Sequence, residues 1–193
     1  MKLTIISGLS GSGKSIVLQA MEDFGYYCID NLPLGLLSEF AMQARIILRQ
    51  GGASSEEVNK ALSHVAVGID ARNIVGGLQH FPEIIADLKS EGIACEVVFL
   101  DADDSELLKR FSETRRKHPL TRSDVSLTEA LQIERKLLKF ISEGADLYID
   151  TTLINVHELR TVVQERIVGR SNESSMSLLF LSFGFKYGVP VDT

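Results

Sequence analysis

The chain has 193 residues, 45% of them hydrophobic and 24% charged, and its 20 basic against 26 acidic side chains leave a net charge of −6. That length suggests one domain, two at most, with enough apolar material for a core that needs no staples. The composition excludes a predominantly disordered chain, and the acidic balance excludes a global pull toward nucleic acid or anionic membrane, leaving only a local patch for such contacts.

Short apolar runs alternate with helical patterns along the chain. Residues 3–7, 26–30, 65–70, 95–101 and 147–151 read as five strands, apolar on both faces, as in a sheet covered by helices on both sides. Helix patterns fall near 14–24, 34–49, 56–63, 80–91, 104–117, 127–143 and 156–168. Ser126 with Glu129 has capping-box spacing, and Asn155 with Glu158 imitates it. This alternation predicts right-handed parallel crossovers and a layered α/β sheet. A Gly- and Ser-rich stretch at 50–57 reads as a loop, and Gly169 to Ser177 as a linker. The strand-like run that follows resembles the opening of a second domain, although an ordinary C-terminal strand fits the pattern equally well. The expected division is a domain over 1–170 and, over 171–193, a linker with the start of a truncated C-terminal domain.

Cys28 and Cys95 stand far apart in strand-like stretches and read as two buried thiols of a reducing compartment. The apolar run after Lys2 stops at Ser7 and Gly8, too short for a secretory signal, and no stretch approaches the length of a membrane span. A soluble, cytoplasmic protein is expected.

One motif is specific. Gly8-Leu9-Ser10-Gly11-Ser12-Gly13-Lys14-Ser15 satisfies G-x-x-x-x-G-K-[ST], follows an apolar strand and opens an amphipathic helix. Glycines let such a loop fold tightly so that backbone N–H groups point inward, and the helix N-terminus adds partial positive charge. Lys14 would reach the β- and γ-phosphates of a nucleoside triphosphate, and the Ser15 hydroxyl would join a Mg²⁺ shell.

A metal-holding carboxylate is expected at the end of a strand. Asp70, after an apolar run, is favoured because Arg72 and Asn73 follow it; Asp101 competes, but Asp103 and Asp104 beside it resemble a helix start. Lys109, Arg110, Arg115, Arg116, Lys117 and Arg122 form a basic cluster in an otherwise acidic chain. Kinases of small molecules and nucleoside monophosphates place lid arginines here, to neutralise the transferring phosphoryl group. A solvated helix face and an RNA-contacting patch are the other readings. Asp30, in Asp-Asn-Leu-Pro, reads either as orienting an acceptor hydroxyl or sitting beside the metal, or as turn chemistry. The four histidines show no metal-ligand spacing, and only His118, beside the arginine pair, is a candidate for function. No Asn-Lys-x-Asp sequence is present to read a guanine base.

The strings GLSGSGKS at 8–15, FGYYCIDNLP at 24–33, DARN at 70–73, FLDAD at 99–103, TRRKHPL at 114–120, ADLYIDT at 145–151 and SFGFKYGVP at 182–190 together resemble the RapZ/YvcJ family of bacterial P-loop nucleotide-binding proteins, known in enteric bacteria as RNase adapters. The resemblance implies binding and slow hydrolysis of ATP and GTP, with ATP on the P-loop and GTP on the segment matching Asp70-Ala71-Arg72-Asn73. It also implies a C-terminal domain, near whose start this chain ends, that carries much of the RNA binding, sugar-phosphate binding and self-assembly.

The expectation is thus an α/β P-loop NTPase fold of kinase type, with a five-stranded, mainly parallel sheet. Its phosphate cradle would be Gly8, Leu9, Ser10, Gly11, Ser12, Gly13, Lys14 and Ser15, with Asp30 and Asp70, Ala71, Arg72 and Asn73 as further nucleotide contacts. Lys14, Asp70, Arg115 and Arg116 would be catalytic, and Ser15 and Asp70 would hold Mg²⁺. A small-molecule kinase using Asp30 and the lid arginines is the rival. RNA and an RNase, reached through the missing domain, and a second copy of the chain are the expected macromolecular partners.

Overall fold

A computed structural model describes residues 1–50, 62–72, 77–121 and 125–169. Its five strands are β1 (Lys2–Gly8), β2 (Tyr27–Ile29), β3 (His64–Ile69), β4 (Ala94–Asp101) and β5 (Leu147–Asp150). They lie in the order β2-β3-β1-β4-β5, and all four pairings are parallel. The helices are α1 (Lys14–Asp23), α2 (Leu34–Gln50), α3 (Phe81–Ser90), α4 (Asp104–Thr114), α5 (Leu127–Leu137), α6 (Lys139–Glu143) and α7 (Val156–Val163).

Burial on both faces explains why the strands carry no polar alternation. On one side Leu3, Ile5, Val65, Val67, Val97 and Phe99 pack against α2, α3 and α4 through Leu37, Phe81, Leu88 and Leu107. On the other, Ile6, Ala66, Val98 and Ile149 pack against Val17 and Met21 of α1 and Leu159 and Val163 of α7. Every β-strand here runs in the same direction, so all C-terminal ends meet at one edge. In open parallel sheets that edge, where the strand order reverses, is where ligands bind. Here the reversal falls beside β1, which feeds the glycine-rich loop.

Three helix boundaries differ from the sequence reading. The pattern over 104–117 ends at Thr114, because Arg115 adopts φ 52°, a left-handed turn placed well before Pro119. The stretch 127–143 is two helices broken at Leu138, and 156–168 finishes in a π turn over Gln164–Val168. Both capping boxes form, Ser126 with Glu129 and Asn155 with Glu158. Cys28 and Cys95 are free thiols but half-buried, not fully buried as read, since Cys28 sits on the edge strand β2 and Cys95 next to the start of β4. Most of the 56–63 pattern, Asn73, Arg122 and the 171–193 segment lie outside the described residues.

Candidate functional site

The loop between β1 and α1 is shaped by three glycines at positive φ: Gly8 (148°), Gly11 (88°) and Gly13 (104°). Gly8 is needed for close approach as well. A Cβ there would lie 2.2 Å from the carbonyl oxygen of Leu100 on β4. Ser12 N–H donates to Leu9 O at 3.0 Å, closing the turn, and Gly13 stands at the helix N-cap with no side-chain cap. The amides of Lys14 and Ser15 open α1 at the positive end of the helix dipole, and those of Ile16 and Val17 donate to Gly13 O. The buried Ser12 hydroxyl also has no hydrogen-bond partner among the described residues. These features suit an anion of phosphate type.

Lys14 folds back over the loop, and its Nζ donates to Gly8 O at 2.7 Å and Leu9 O at 3.0 Å. Burial lowers its pKa, against the pull of Glu134, Asp70 and Asp30, whose negative charges raise it. Three negative charges thus act on the lysine. Ser15 is exposed at the first turn of α1. Asp70, at the end of β3, is buried and held by Arg72, whose N–H reaches Oδ1 at 2.9 Å and whose Nε reaches Oδ2 at 2.8 Å. Ser15 and Asp70 offer an all-oxygen donor set of the kind Mg²⁺ takes while keeping its waters. Ala71 is buried beneath Asp70 and has no side-chain polar group to offer.

Asp101 is engaged differently. Both its oxygens accept from Arg135 Nη1 at 2.8 Å, and Tyr148 Oη donates to Oδ2. Arg135 continues to Asp104 and to the carbonyl of Ala102, so Asp101 belongs to a brace between α5 and the β4–α4 junction.

The basic cluster divides. Lys109 and Arg110 pair with Glu106 one turn back, and Arg110 reaches the loop, donating to Gly11 O at 3.1 Å and Thr151 O at 2.6 Å. Arg115, Arg116 and Lys117 are exposed, and none makes a side-chain hydrogen bond or ion pair with a described residue. The structure therefore gathers Lys14, Asp30, Asp70 and Arg72 around the loop and leaves Arg115 and Arg116 out in solvent.

Two residues that sequence reasoning passed over or undervalued hold the loop from below. Glu134 is fully buried, and it accepts Ser10 N–H at 2.8 Å, Ser10 Oγ–H at 2.7 Å and His118 Nε2–H at 2.9 Å. Leu120 N–H donates to His118 Nδ1 at 3.1 Å, which assigns the ring proton to Nε2. Burial raises the Glu134 carboxyl, but the His118 bond, the Lys14 charge and the Ser10 bonds outweigh it, and its pKa lies below the ordinary glutamate value. A signal for Glu134 existed. The buried stripe of α5 reads Ala130, Leu131, Glu134, with a carboxylate where the helical period demands an apolar side chain.

Comparisons with known proteins bear on the family and the fold. The family model described as the RapZ-like N-terminal domain matches residues 1–171. A nucleotide-binding protein of Nitrosococcus oceani is 53% identical over 192 residues, covering 100% of this chain and 63% of that protein. One from Methylococcus capsulatus is 50% identical over 193 residues, covering 100% of this chain and 62% of that protein. The chain thus spans less than two thirds of the length of these relatives. Among solved structures, shikimate kinase from Bacteroides thetaiotaomicron is similar with a TM-score of 0.51 at 14% identity, over 84% of this chain and 94% of that one, a likeness of fold alone. The resemblance drawn from the sequence strings is borne out, and the chain belongs to the family of RapZ-like N-terminal domains.

Proposed function

We propose that the chain is a nucleotide-binding module that holds Mg²⁺ with ATP or GTP on the loop Gly8–Ser15 and hydrolyses it slowly. The observation that carries this reading is the loop itself: glycines at positive φ, uncapped helix amides, and Lys14 turned over the loop carbonyls. Lys14 would exchange those carbonyls for phosphate oxygens. Ser15 and Asp70 would hold the metal, which when bound neutralises phosphate charge. Arg72 and Asn73, which follow Asp70, are the contacts that the family resemblance gives to GTP, and Arg115 or Arg116 would approach when the segment after α4 closes. Slow turnover follows from the engaged carboxylates. Asp70 and Glu134 are already hydrogen-bonded, so neither is placed to activate a water.

The relatives that cover the whole chain are named nucleotide-binding proteins, which supports the reading. In a protein of the relatives' full length the nucleotide state would bias recruitment of RNA and an RNase, and assembly with further copies, in the cytoplasm. No described helix is long and apolar enough to cross a membrane, which is compatible with that setting.

A second reading, transfer of the γ-phosphate to a metabolite hydroxyl, rests on Asp30. Its carboxylate lies against Gly68, where a Cβ would meet Oδ1 at 2.8 Å, and it acts on the Lys14 charge. Among the described residues it makes no hydrogen bond, which leaves it free to accept from an acceptor hydroxyl. The test is Mg²⁺-dependent phosphate release from ATP and GTP, beside Lys14→Ala, with and without a pool of cell metabolites. Slow release, lost in the variant and indifferent to the pool, supports the regulatory reading. Nucleoside diphosphate that rises with the pool, without matching free phosphate, establishes the kinase reading instead.

A further inference from the structure

The Glu134–His118 pair is absorbed by neither reading, yet it is the most deeply buried ionisable contact among the described residues, with His118 2% and Glu134 0% exposed. Its position is informative because of what it touches on each side. On the loop side, Glu134 holds Ser10 by both its N–H and its hydroxyl. The neighbouring Gly11 faces Leu107 and Phe111 of α4 so closely that a Cβ would sit 3.4 Å from each. On the other side, His118 is the anchor of the segment 115–121. Its ring packs on Phe111 at 5.3 Å, its Nδ1 accepts from Leu120, and its carbonyl accepts from Thr121 N–H.

That segment begins with three consecutive exposed cations, Arg115, Arg116 and Lys117, directly before the buried histidine. A physical chain therefore runs from the cations through His118 and Glu134 to the backbone of Ser10. Hydrogen bonds to an ionised group are stronger than those between neutral groups, so the link is stiff compared with the exposed turn it anchors. Any shift of the loop when an anion binds must either move this segment or strain the Glu134 bonds.

We infer that Glu134 and His118 are positioning residues that couple occupancy of the Gly8–Ser15 loop to the placement of the cationic segment 115–121. The inference rests on the nucleotide reading above for the identity of the occupant. Both residues are buried, and Glu134 meets the loop through Ser10. Their work is to transmit the loop's conformation to Arg115, Arg116 and Lys117, and the reverse.

The test is trypsin cleavage after Arg115, Arg116 and Lys117, followed by mass spectrometry of the 193-residue protein, with and without Mg²⁺ and a non-hydrolysable ATP or GTP analogue. Calorimetry of the same samples measures binding. In the unaltered protein the analogue should slow these cleavages by at least about tenfold, within the range of ordinary coupling between sites. Glu134→Gln removes the carboxylate that accepts all three bonds, and His118→Leu removes both ring nitrogens at similar volume. At analogue concentrations that calorimetry shows to saturate each variant, protection should drop below about twofold. His118→Gln, which can donate to Glu134 and accept from Leu120, should restore protection. That rescue is something a mere packing role would not produce.

If His118→Leu fails to fold, Glu134→Gln against His118→Gln decides the question. Analogue binding with full protection in Glu134→Gln overturns the coupling and leaves the nucleotide reading intact. Absence of binding by the unaltered protein overturns the nucleotide reading, and the coupling falls with it.

Discussion

Replacing Gly8 by alanine should damage this fold more than the same change at any open turn glycine. The alanine Cβ would stand 2.2 Å from Leu100 O and 2.9 Å from both Leu100 C and N, whereas ordinary contact begins at 3.4 Å. The obstacle is backbone of the interior strand β4, so no side-chain rotation relieves it. Strands β1 and β4 must separate by more than an ångström at their C-terminal ends, where Gly8 pairs with Leu100 and Leu9 N–H donates to Leu100 O at 3.2 Å. The positive φ costs about 1–3 kcal/mol for a residue with a Cβ, and the forced shift about another 1–3 kcal/mol. Gly92 supplies the control, because its φ is +80° but a Cβ there would meet nothing within 4 Å. Gly92→Ala should therefore lose only the conformational part, about 1–2 kcal/mol. In a chain of this size each kcal/mol moves the unfolding midpoint by about 2–4 °C. Urea and thermal unfolding of the two variants side by side measure the difference. Equal losses, or a Gly8→Ala protein within about 0.5 kcal/mol of the parent, would refute the collision argument.

Arg135→Met should leave Asp101 without its bidentate partner and cost about 1–3 kcal/mol in urea unfolding, with slow phosphate release retained. Asp70→Asn should instead spare most of the stability and remove the Mg²⁺ dependence of that release; the opposite pattern would make Asp101 the metal residue. The depressed Glu134 carboxyl contributes stability that is present above the ordinary glutamate pKa of about 4.3 and is lost as pH falls through its lower folded value. Between about pH 5 and 3 the Glu134→Gln protein should accordingly show a shallower acid decline in unfolding midpoint than its parent, and an identical decline would refute the assignment. Burial pushes the Cys28 thiol up to about 12 and the Cys95 thiol up to about 11. Labelling by an aromatic disulfide at mildly alkaline pH should therefore run on the order of a hundredfold slower than for a free cysteine, and reach the free rate in denaturant.

The glycine-rich loop was legible because its demands are local. A turn at positive φ needs glycine, and the residues that bring phosphate to a helix N-terminus are contiguous. The strands were legible for a similar reason, since a sheet covered on both faces writes unbroken apolar runs such as 95–101. Helix ends were less so. Thr114 ends α4 because Arg115 takes a left-handed conformation that its side chain does not announce, and Leu138 breaks a pattern whose periodicity continues through it.

What the amino-acid sequence determined by itself was the glycine-rich loop and the alternation that makes a parallel sheet, both of which follow from short-range spacing, while the family came from a resemblance of strings spread along the whole chain. The tertiary structure decided which of the charged residues meet. Asp101 and Asp70 end adjacent apolar runs in the same way, yet Arg135 arrives from α5 to occupy Asp101, while Asp70 closes on Arg72 beside the loop. Of the basic residues that read as one cluster, Arg110 reaches Gly11 and Thr151, whereas Arg115 and Arg116 lie past the end of α4 and stay exposed. Glu134 and Ser10 are 124 positions apart. No local rule relates them, and only the packing of α5 beneath the loop turns an out-of-place glutamate into its anchor.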